Sequence, residues 1–341
     1  MDWSGLVRET FGVMRRGQAL WKLALVSAIQ AGLYAVLMGA VIVPMTLLTQ
    51  VLAQTGSSTS PLPPEFAATY LPQVLAWFSA NASAIVGGVV VLMLLWAASG
   101  VFDVAATAGS ISQTSALAES RDASFSQGVH DGFRVWWRTI GVLALAAVPA
   151  LISLVGVAAA TVLTVTIPIA QGHAPSVVAI GAGNAMNSLL STVAGIVGIP
   201  LGVIAQLGLR YVVLDDMQPK RAWVSGWRLA KTRLVDVVLM YLLQAGVALA
   251  GAFAFAIVFG TLAGVLAITL AVLGGSAGSF SGAMVSVSAV GALLLLGVGL
   301  AFSVMVLLWQ SVVWTLFWRR ATGVEPTEGH AGPAYPEHDV R

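Results

Sequence analysis

The chain has 341 residues, of which 58% are hydrophobic and 9% are charged, and its mean hydropathy is +0.91. Because a soluble domain carries about 25% charged residues, this composition excludes an ordinary soluble globule and indicates a membrane protein. The net charge of +2 gives no nucleic-acid-binding footprint. The chain has no cysteine, which excludes disulfides, thiolate metal sites and a cysteine nucleophile.

Six apolar stretches are long enough to cross a bilayer, since about 20 apolar helical residues span its hydrocarbon core. The predicted fold class is therefore all-α, a polytopic membrane helix bundle with six transmembrane helices. A break of the fifth stretch near Gly260 is left open, because that stretch is longer than one crossing needs. The predicted spans are about 21–48, 75–104, 138–168, 186–212, 235–272 and 284–318.

The basic residues are segregated along the chain. Lys and Arg precede the first span, lie between spans two and three and between spans four and five, and follow span six. The other three loops, 50–72, 171–185 and 274–282, contain neither. The positive-inside rule then places both termini in the cytoplasm, and we expect a multi-pass protein of the bacterial cytoplasmic (inner) membrane.

The basic segments share a pattern that indicates repeats. It reads Gly12-Val13-Met14-Arg15, Gly132-Phe133-Arg134-Val135 and Gly226-Trp227-Arg228-Leu229. Self-similarity of this kind predicts three units, each an interfacial amphipathic helix followed by two spans. The predicted units are about 1–118, 119–213 and 214–320, within a single membrane domain over 1–320. The tail 321–341 is polar and is predicted to be a disordered cytoplasmic segment.

The predicted interfacial helices combine aromatic anchors with cations. Such helices lie in the membrane interface with their cations near lipid phosphates. We expect contact with anionic headgroups; the alternative is a structural helix that only orients the next span. The candidate lipid-interface residues are Trp223, Trp227, Arg228, Lys231, Phe133 and Arg134.

One of these segments resembles a known membrane domain. The stretch from Pro219 to Lys231, PKRAWVSGWRLAK, is similar to a segment of the membrane domain found beside bacterial glycerophosphodiester phosphodiesterases and in related multi-pass proteins. In that family the phosphodiesterase activity belongs to a separate soluble domain with acidic metal ligands and paired histidines, which this sequence lacks. The resemblance therefore implies an architecture and no reaction.

Polar residues recur at one depth in the apolar spans. Gln30 and Gln244 both begin the sequence Gln-Ala-Gly, and Gln310 lies nine residues before Arg319. We expect these three amides to face one another in the bundle interior, either as hydrogen bonds between helices or as the lining of a polar cavity. The spacings Gly198-x-x-x-Gly202 and Gly260-x-x-x-Gly264 permit a close helix approach and suggest tight packing of the bundle.

No motif for catalysis or metal binding is found. None of the four histidines falls in a predicted span, and none has a second ligand at metal-binding spacing. We therefore expect no catalytic residues, no metal and no cofactor. The predicted function is a non-enzymatic integral membrane protein that binds lipid or a partner. The alternatives are a transporter or permease component for a small solute or lipid, and an intramembrane lipid enzyme.

Overall fold

The structure is a computed structural model that describes residues 1–55, 80, 82–161, 163, 177–277 and 282–324. Over these residues it is all-helical, without a strand. The nine helices of this part of the chain are α1 (Trp3–Arg16), α2 (Gln18–Thr55), α3 (Ala82–Ala118), α4 (Phe125–Arg134), α5 (Trp136–Thr161), α6 (Val177–Leu214), α7 (Pro219–Thr232), α8 (Leu234–Ala277) and α9 (Gly282–Thr322).

Three of the helices are short, and they lie in the three basic segments. Helices α1, α4 and α7 have 14, 10 and 14 residues. Local sequence explains where they begin. The Asp2 carboxylate accepts from the backbone N–H of Gly5, the Ser124 hydroxyl accepts from that of Gln127, and Pro219 occupies the first turn of α7. The predicted helices in these segments are thus confirmed.

Five helices are long and apolar enough to cross a membrane: Val90–Ala118, Trp136–Ser153, Gly181–Leu214, Leu234–Leu266 and Leu293–Thr322. They overlap the second to sixth predicted spans, and the second lies further along the chain than its predicted bounds of 75–104. The first predicted span, 21–48, lies on α2, but most of its side chains beyond Leu37 are outside the described residues, so it stays a prediction. Helix α8 is continuous, which removes the alternative of a break near Gly260.

The long helices expose apolar side chains. Leu249 is 73% exposed and Leu293 is 70% exposed, and within Leu234–Leu266 only Val237 and Met240 are buried. Soluble monomers rarely present apolar surface on this scale to water. The length, composition and exposed apolar side chains of these helices indicate a membrane protein.

The chain divides into two compact units. The first comprises Met1–Leu23, Val104–Gly251 and Leu308–Arg341, and the second comprises Ala24–Asp103 and Ala252–Leu307. Every Lys and Arg among the described residues belongs to the first unit, and the sequence of the second contains none. The predicted tail beyond residue 324 lies outside the described residues, and the single domain 1–320 stays a prediction.

Within the second unit, polar and aromatic pairs join neighbouring helices. The hydroxyl of Ser99 on α3 donates to the Gln30 side chain on α2. The rings of Phe255 on α8 and Phe302 on α9 stack with centroids 5.0 Å apart.

In the first unit, α4 packs against α3 through glycines. A Cβ atom built on Gly132 would lie 1.9 Å from the carbonyl oxygen of Ala105, and one built on Gly109 would lie 2.2 Å from that of Gly128. Only residues without a side chain allow the two backbones to approach this closely. The contact runs antiparallel, since the partners of Gly128 and Gly132 fall in reverse order along α3.

Helix α7 packs against α6 in the same way. A Cβ atom on Gly226 would lie 2.8 Å from the carbonyl oxygen of Ile204 and 3.0 Å from the backbone nitrogen of Gly208. One turn earlier, the carbonyl oxygen of Ala222 faces Gly208. Ala222 joins Ala108, Ile111, Val135, Val142, Ala205, Leu209, Val212 and Val213 in the buried apolar core of this unit.

The N-terminal helix α1 packs antiparallel on the C-terminal part of α9 through aromatic rings. Trp3 stacks on Phe317 with centroids 6.4 Å apart, and Phe11 contacts Trp309 at 5.2 Å. The third glycine of the pattern, Gly12, has no neighbouring atom within 4 Å of a built Cβ. The first and last parts of the chain are thus joined inside the first unit.

Candidate functional site

Helix α7 has a packed face and an exposed aromatic, cationic face. Ala222, Gly226 and Leu229 are buried, whereas Arg228 and Lys231 are exposed. Trp227 is 44% exposed, and the ammonium nitrogen of Lys231 lies 4.7 Å from its ring centroid. Trp223 is half-buried against the apolar core. The structure therefore leaves three of the four candidate lipid-interface residues on this helix accessible.

Helix α4 repeats this division of faces. Gly128 and Gly132 are buried, while Phe133 and Arg134 are exposed. Just after the helix, Trp137 is 73% exposed and stacks on Trp136 with centroids 4.9 Å apart. Both sequence-predicted residues of this helix lie on the accessible face.

Helix α1 shows the same arrangement with residues that the sequence analysis did not single out. Arg8, Arg15 and Arg16 are exposed beside Phe11, and Leu6 and Val13 are fully buried on the other side. At its C-terminal end the indole N–H of Trp21 donates to the carbonyl oxygen of Met14 at 2.9 Å.

Two partly buried ion pairs join the C-terminal part of α9 to other segments of the first unit. The Arg319 guanidinium, 5% exposed, lies 2.6 Å from a Glu119 carboxylate oxygen and donates to the Ser115 hydroxyl at 2.6 Å. The hydrogen bond from Arg319 holds the pKa of Glu119 below its ordinary value. Arg320 pairs with Glu9 of α1 at 2.5 Å. This last pair reinforces the aromatic contact between α1 and α9.

A half-open cavity of about 380 Å³ lies at the surface of the first unit, lined by parts of α6, α8 and α9. Its volume falls in the range of small-molecule sites, about 300–1,000 Å³. One wall is formed by glycines of α6, and the facing wall is polar and aromatic. The lining residues are Gly195, Gly198, Ile199, Gly202, Val203, Gln206, Tyr241, Gln244, Gln310 and Trp314.

The glycine wall explains why the space is open. No neighbouring atom lies within 4 Å of a Cβ built on Gly195, Gly198 or Gly202. The close helix approach that the spacing of Gly198 and Gly202 permits is therefore not made among the described residues. Because these glycines have no side chains, the space beside them stays open.

The cavity brings together two of the three predicted glutamines. Gln244 and Gln310 both line it, together with Gln206, which the sequence analysis missed. Gln30 belongs to the second unit, where it is paired with Ser99. The meeting of all three predicted amides stays a prediction. The sequence signal for Gln206 was its position four residues before Arg210, on the same side of one helix.

Hydrogen bonds determine which amide atoms remain available. The indole N–H of Trp314 donates to the Gln244 carbonyl oxygen at 2.5 Å, and the Arg210 guanidinium donates to the Gln206 side-chain oxygen at 2.6 Å. Indole and guanidinium groups can only donate. Each amide oxygen therefore already accepts one hydrogen bond, whereas the amide NH₂ groups donate to none of the described residues and are available to bind other groups.

Arg210, which donates to the cavity residue Gln206, is itself a buried cation. Its side chain is 1% exposed, and its remaining bonds go to the carbonyl oxygens of Gln206 at 2.6 Å and Ser311 at 3.3 Å. Its Nε atom has no hydrogen-bond partner, and no carboxylate of the described residues lies within 4.0 Å. All its partners are neutral oxygens.

No group of three or more His, Cys, Asp or Glu residues that could hold a metal is found in the part of the chain that the structure describes. No protein-family model, curated protein or solved structure matches the chain. The resemblance of the Pro219–Lys231 stretch to the phosphodiesterase-associated membrane domain therefore stays a prediction.

Proposed function

We propose that the protein is a non-enzymatic multi-pass membrane protein that binds anionic lipid headgroups through α1, α4 and α7. The main support for this proposal is that each of these helices packs one face on a long helix and exposes aromatic and cationic side chains on the other. Cations near an anionic surface each contribute about 1 kcal/mol. Exposed tryptophan and phenylalanine rings favour the headgroup level of a membrane.

The repeated packing also supports a three-repeat architecture with six spans. Gly132 and Gly226 occupy the same position of the sequence pattern and both contact the preceding long helix. The two repeats differ in the length of the segment between the contacting residues. Gly132 lies 27 positions after Ala105, and Gly226 lies 22 positions after Ile204. By this proposal α9 takes the place of the preceding helix for α1, but that contact is made by aromatic rings and not by Gly12.

The proposed orientation places the termini and the basic segments of the first unit at the cytoplasmic face of a bacterial inner membrane. Its support is the confinement of the described Lys and Arg to that unit. A reporter fused after Arg320 should then be cytoplasmic, and one inserted in the 57–64 loop should be external. A reversed result at either position contradicts the orientation.

The lipid proposal predicts that the double variant Arg228→Gln, Lys231→Gln binds anionic lipid less tightly. Removing two cations should cost about 2 kcal/mol of attraction, a roughly 30-fold loss. The measurement is the amount of phosphatidylglycerol that copurifies in detergent, followed by native mass spectrometry with added lipid. Both residues are exposed, so the fold should be unaffected.

Arg121→Gln provides the matched control for that experiment. Its side chain is also exposed, at 62%, but it lies in the connection before α4 and is already paired with Glu119. We expect wild-type lipid retention in this variant. Equal retention in all three proteins would contradict the lipid-binding proposal and leave α7 with a purely structural role.

The cavity favours a transporter or permease component as the second candidate function. Its support is an open space with polar residues between the long apolar helices α6, α8 and α9. Uptake or efflux assays in proteoliposomes would test it. Substitutions at Gln244 and Gln310 should abolish transport without lowering the melting temperature.

A further inference from the structure

The cavity bounded by Gln206, Gln244 and Trp314 is rich in hydrogen-bond donors. Trp314 donates to the amide oxygen of Gln244 and Arg210 donates to that of Gln206, and the two NH₂ groups donate to none of the described residues. The side chain of Gln310 has no hydrogen bond to any described residue. A ligand that matches this wall must offer acceptor oxygens.

The buried Arg210 adds a positive charge behind those donors. A buried cation without a carboxylate partner is costly, and ionisable groups within membrane segments are a default indication of function. Arg210 does not itself line the cavity. Its Nη1 atom donates to the side-chain oxygen of Gln206, which does. An anionic oxygen that replaced the Gln206 oxygen would compensate the charge.

We propose that this cavity binds an oxyanion of the phosphate type, with Arg210 as its counter-charge and Gln206 as the group it displaces. The NH₂ groups of Gln244 and of the displaced Gln206 donate to the remaining oxygens. The anion is supplied either as free phosphate or as the headgroup of an amphiphile, whose tail would lie along the apolar glycine wall of α6. This site is separate from the exposed faces of α1, α4 and α7.

The test uses the full chain in nanodiscs of zwitterionic phosphatidylcholine. Binding of three probes is measured by calorimetry and by the shift in melting temperature: inorganic phosphate, dihexanoyl phosphatidic acid and dihexanoyl phosphatidylcholine. We expect phosphate or phosphatidic acid to bind and phosphatidylcholine not to bind. Preference for phosphatidic acid identifies an amphiphile, whereas equal binding of inorganic phosphate identifies a free anion.

Two variants connect binding to the cavity. Arg210→Gln removes the counter-charge, and we expect affinity to fall about 10- to 100-fold, as for loss of a charged hydrogen bond. Gly202→Leu fills the cavity from a position with no atom within 4 Å of a built Cβ, so the fold should persist while binding is lost. This second variant keeps the test valid if Arg210→Gln fails to fold.

Gly246→Leu is the matched control. It adds the same side chain at an exposed glycine of α8 that also has open space around it but does not line the cavity. Its affinity should equal that of the wild type. The proposal is overturned if neither anion binds, if phosphatidylcholine binds equally well, or if Gly202→Leu binds as well as Gly246→Leu. None of these variants alters α7, so failure here and failure of the lipid-surface proposal are distinguishable.

Discussion

Gly132→Ala should lower the free energy of unfolding by about 2–3 kcal/mol, the upper part of the range for overpacking a tight contact. The added Cβ would lie 1.9 Å from the carbonyl oxygen of Ala105 and 2.7 Å from its carbonyl carbon. These are backbone atoms, so no side-chain rotation can relieve the overlap. Helices α3 and α4 would have to move apart, and the buried contact of Gly109 with Gly128 would open with them.

The control is Gly12→Ala, at the same position of the repeated sequence pattern on α1. No atom lies within 4 Å of a Cβ built there. Alanine in a helix is about 0.5–1 kcal/mol more favourable than glycine, so this variant should be slightly more stable than the wild type. Thermal or denaturant unfolding in one detergent measures all three proteins. Equal stabilities of the two variants would contradict the close packing of α4 on α3.

The helices and their order could be predicted from sequence because the evidence for them is local. Apolar length predicts a span, and aromatic periodicity around Gly132 and Gly226 predicts a short amphipathic helix. Which glycines make close backbone contacts could not be predicted. Gly198 and Gly202 have the spacing of a tight helix contact and instead border open space, whereas Gly132 makes a close contact with no glycine on the other side.

The polar cavity could be predicted only in part, for a geometric reason. Counting residues from a charged membrane edge gives the depth of a side chain but not the direction in which it points around the helix. Gln244 and Gln310 share depth and direction, while Gln30 belongs to another unit of the fold. Gln206 was missed because its role depends on Arg210, whose lack of a carboxylate partner only the structure reveals.

Glu119→Gln should be the other strongly destabilising substitution, with a cost of about 2–3 kcal/mol. Breaking a fully buried ion pair costs about 3–5 kcal/mol because a charge is left in the interior. Here the Arg319 side chain is 5% exposed but the Glu119 side chain is 38% exposed, so solvent reduces the cost. The double variant Glu119→Gln, Arg319→Met should recover much of the loss, because methionine leaves no buried charge.

The contribution of the Glu119–Arg319 pair can be compared with that of an exposed ion pair on the same carboxylate. Arg121 contacts the same carboxylate at 2.6 Å but is 62% exposed, so Arg121→Gln should cost less than about 1 kcal/mol.

The pKa of Glu119 is below its ordinary value of about 4.5 in the folded protein. The stability from the pair is therefore present above about pH 4.5 and is lost as the pH falls through the lower folded pKa. Melting temperatures between pH 7 and pH 3 should fall more steeply for the wild type than for Glu119→Gln, and parallel curves would contradict the assigned pair.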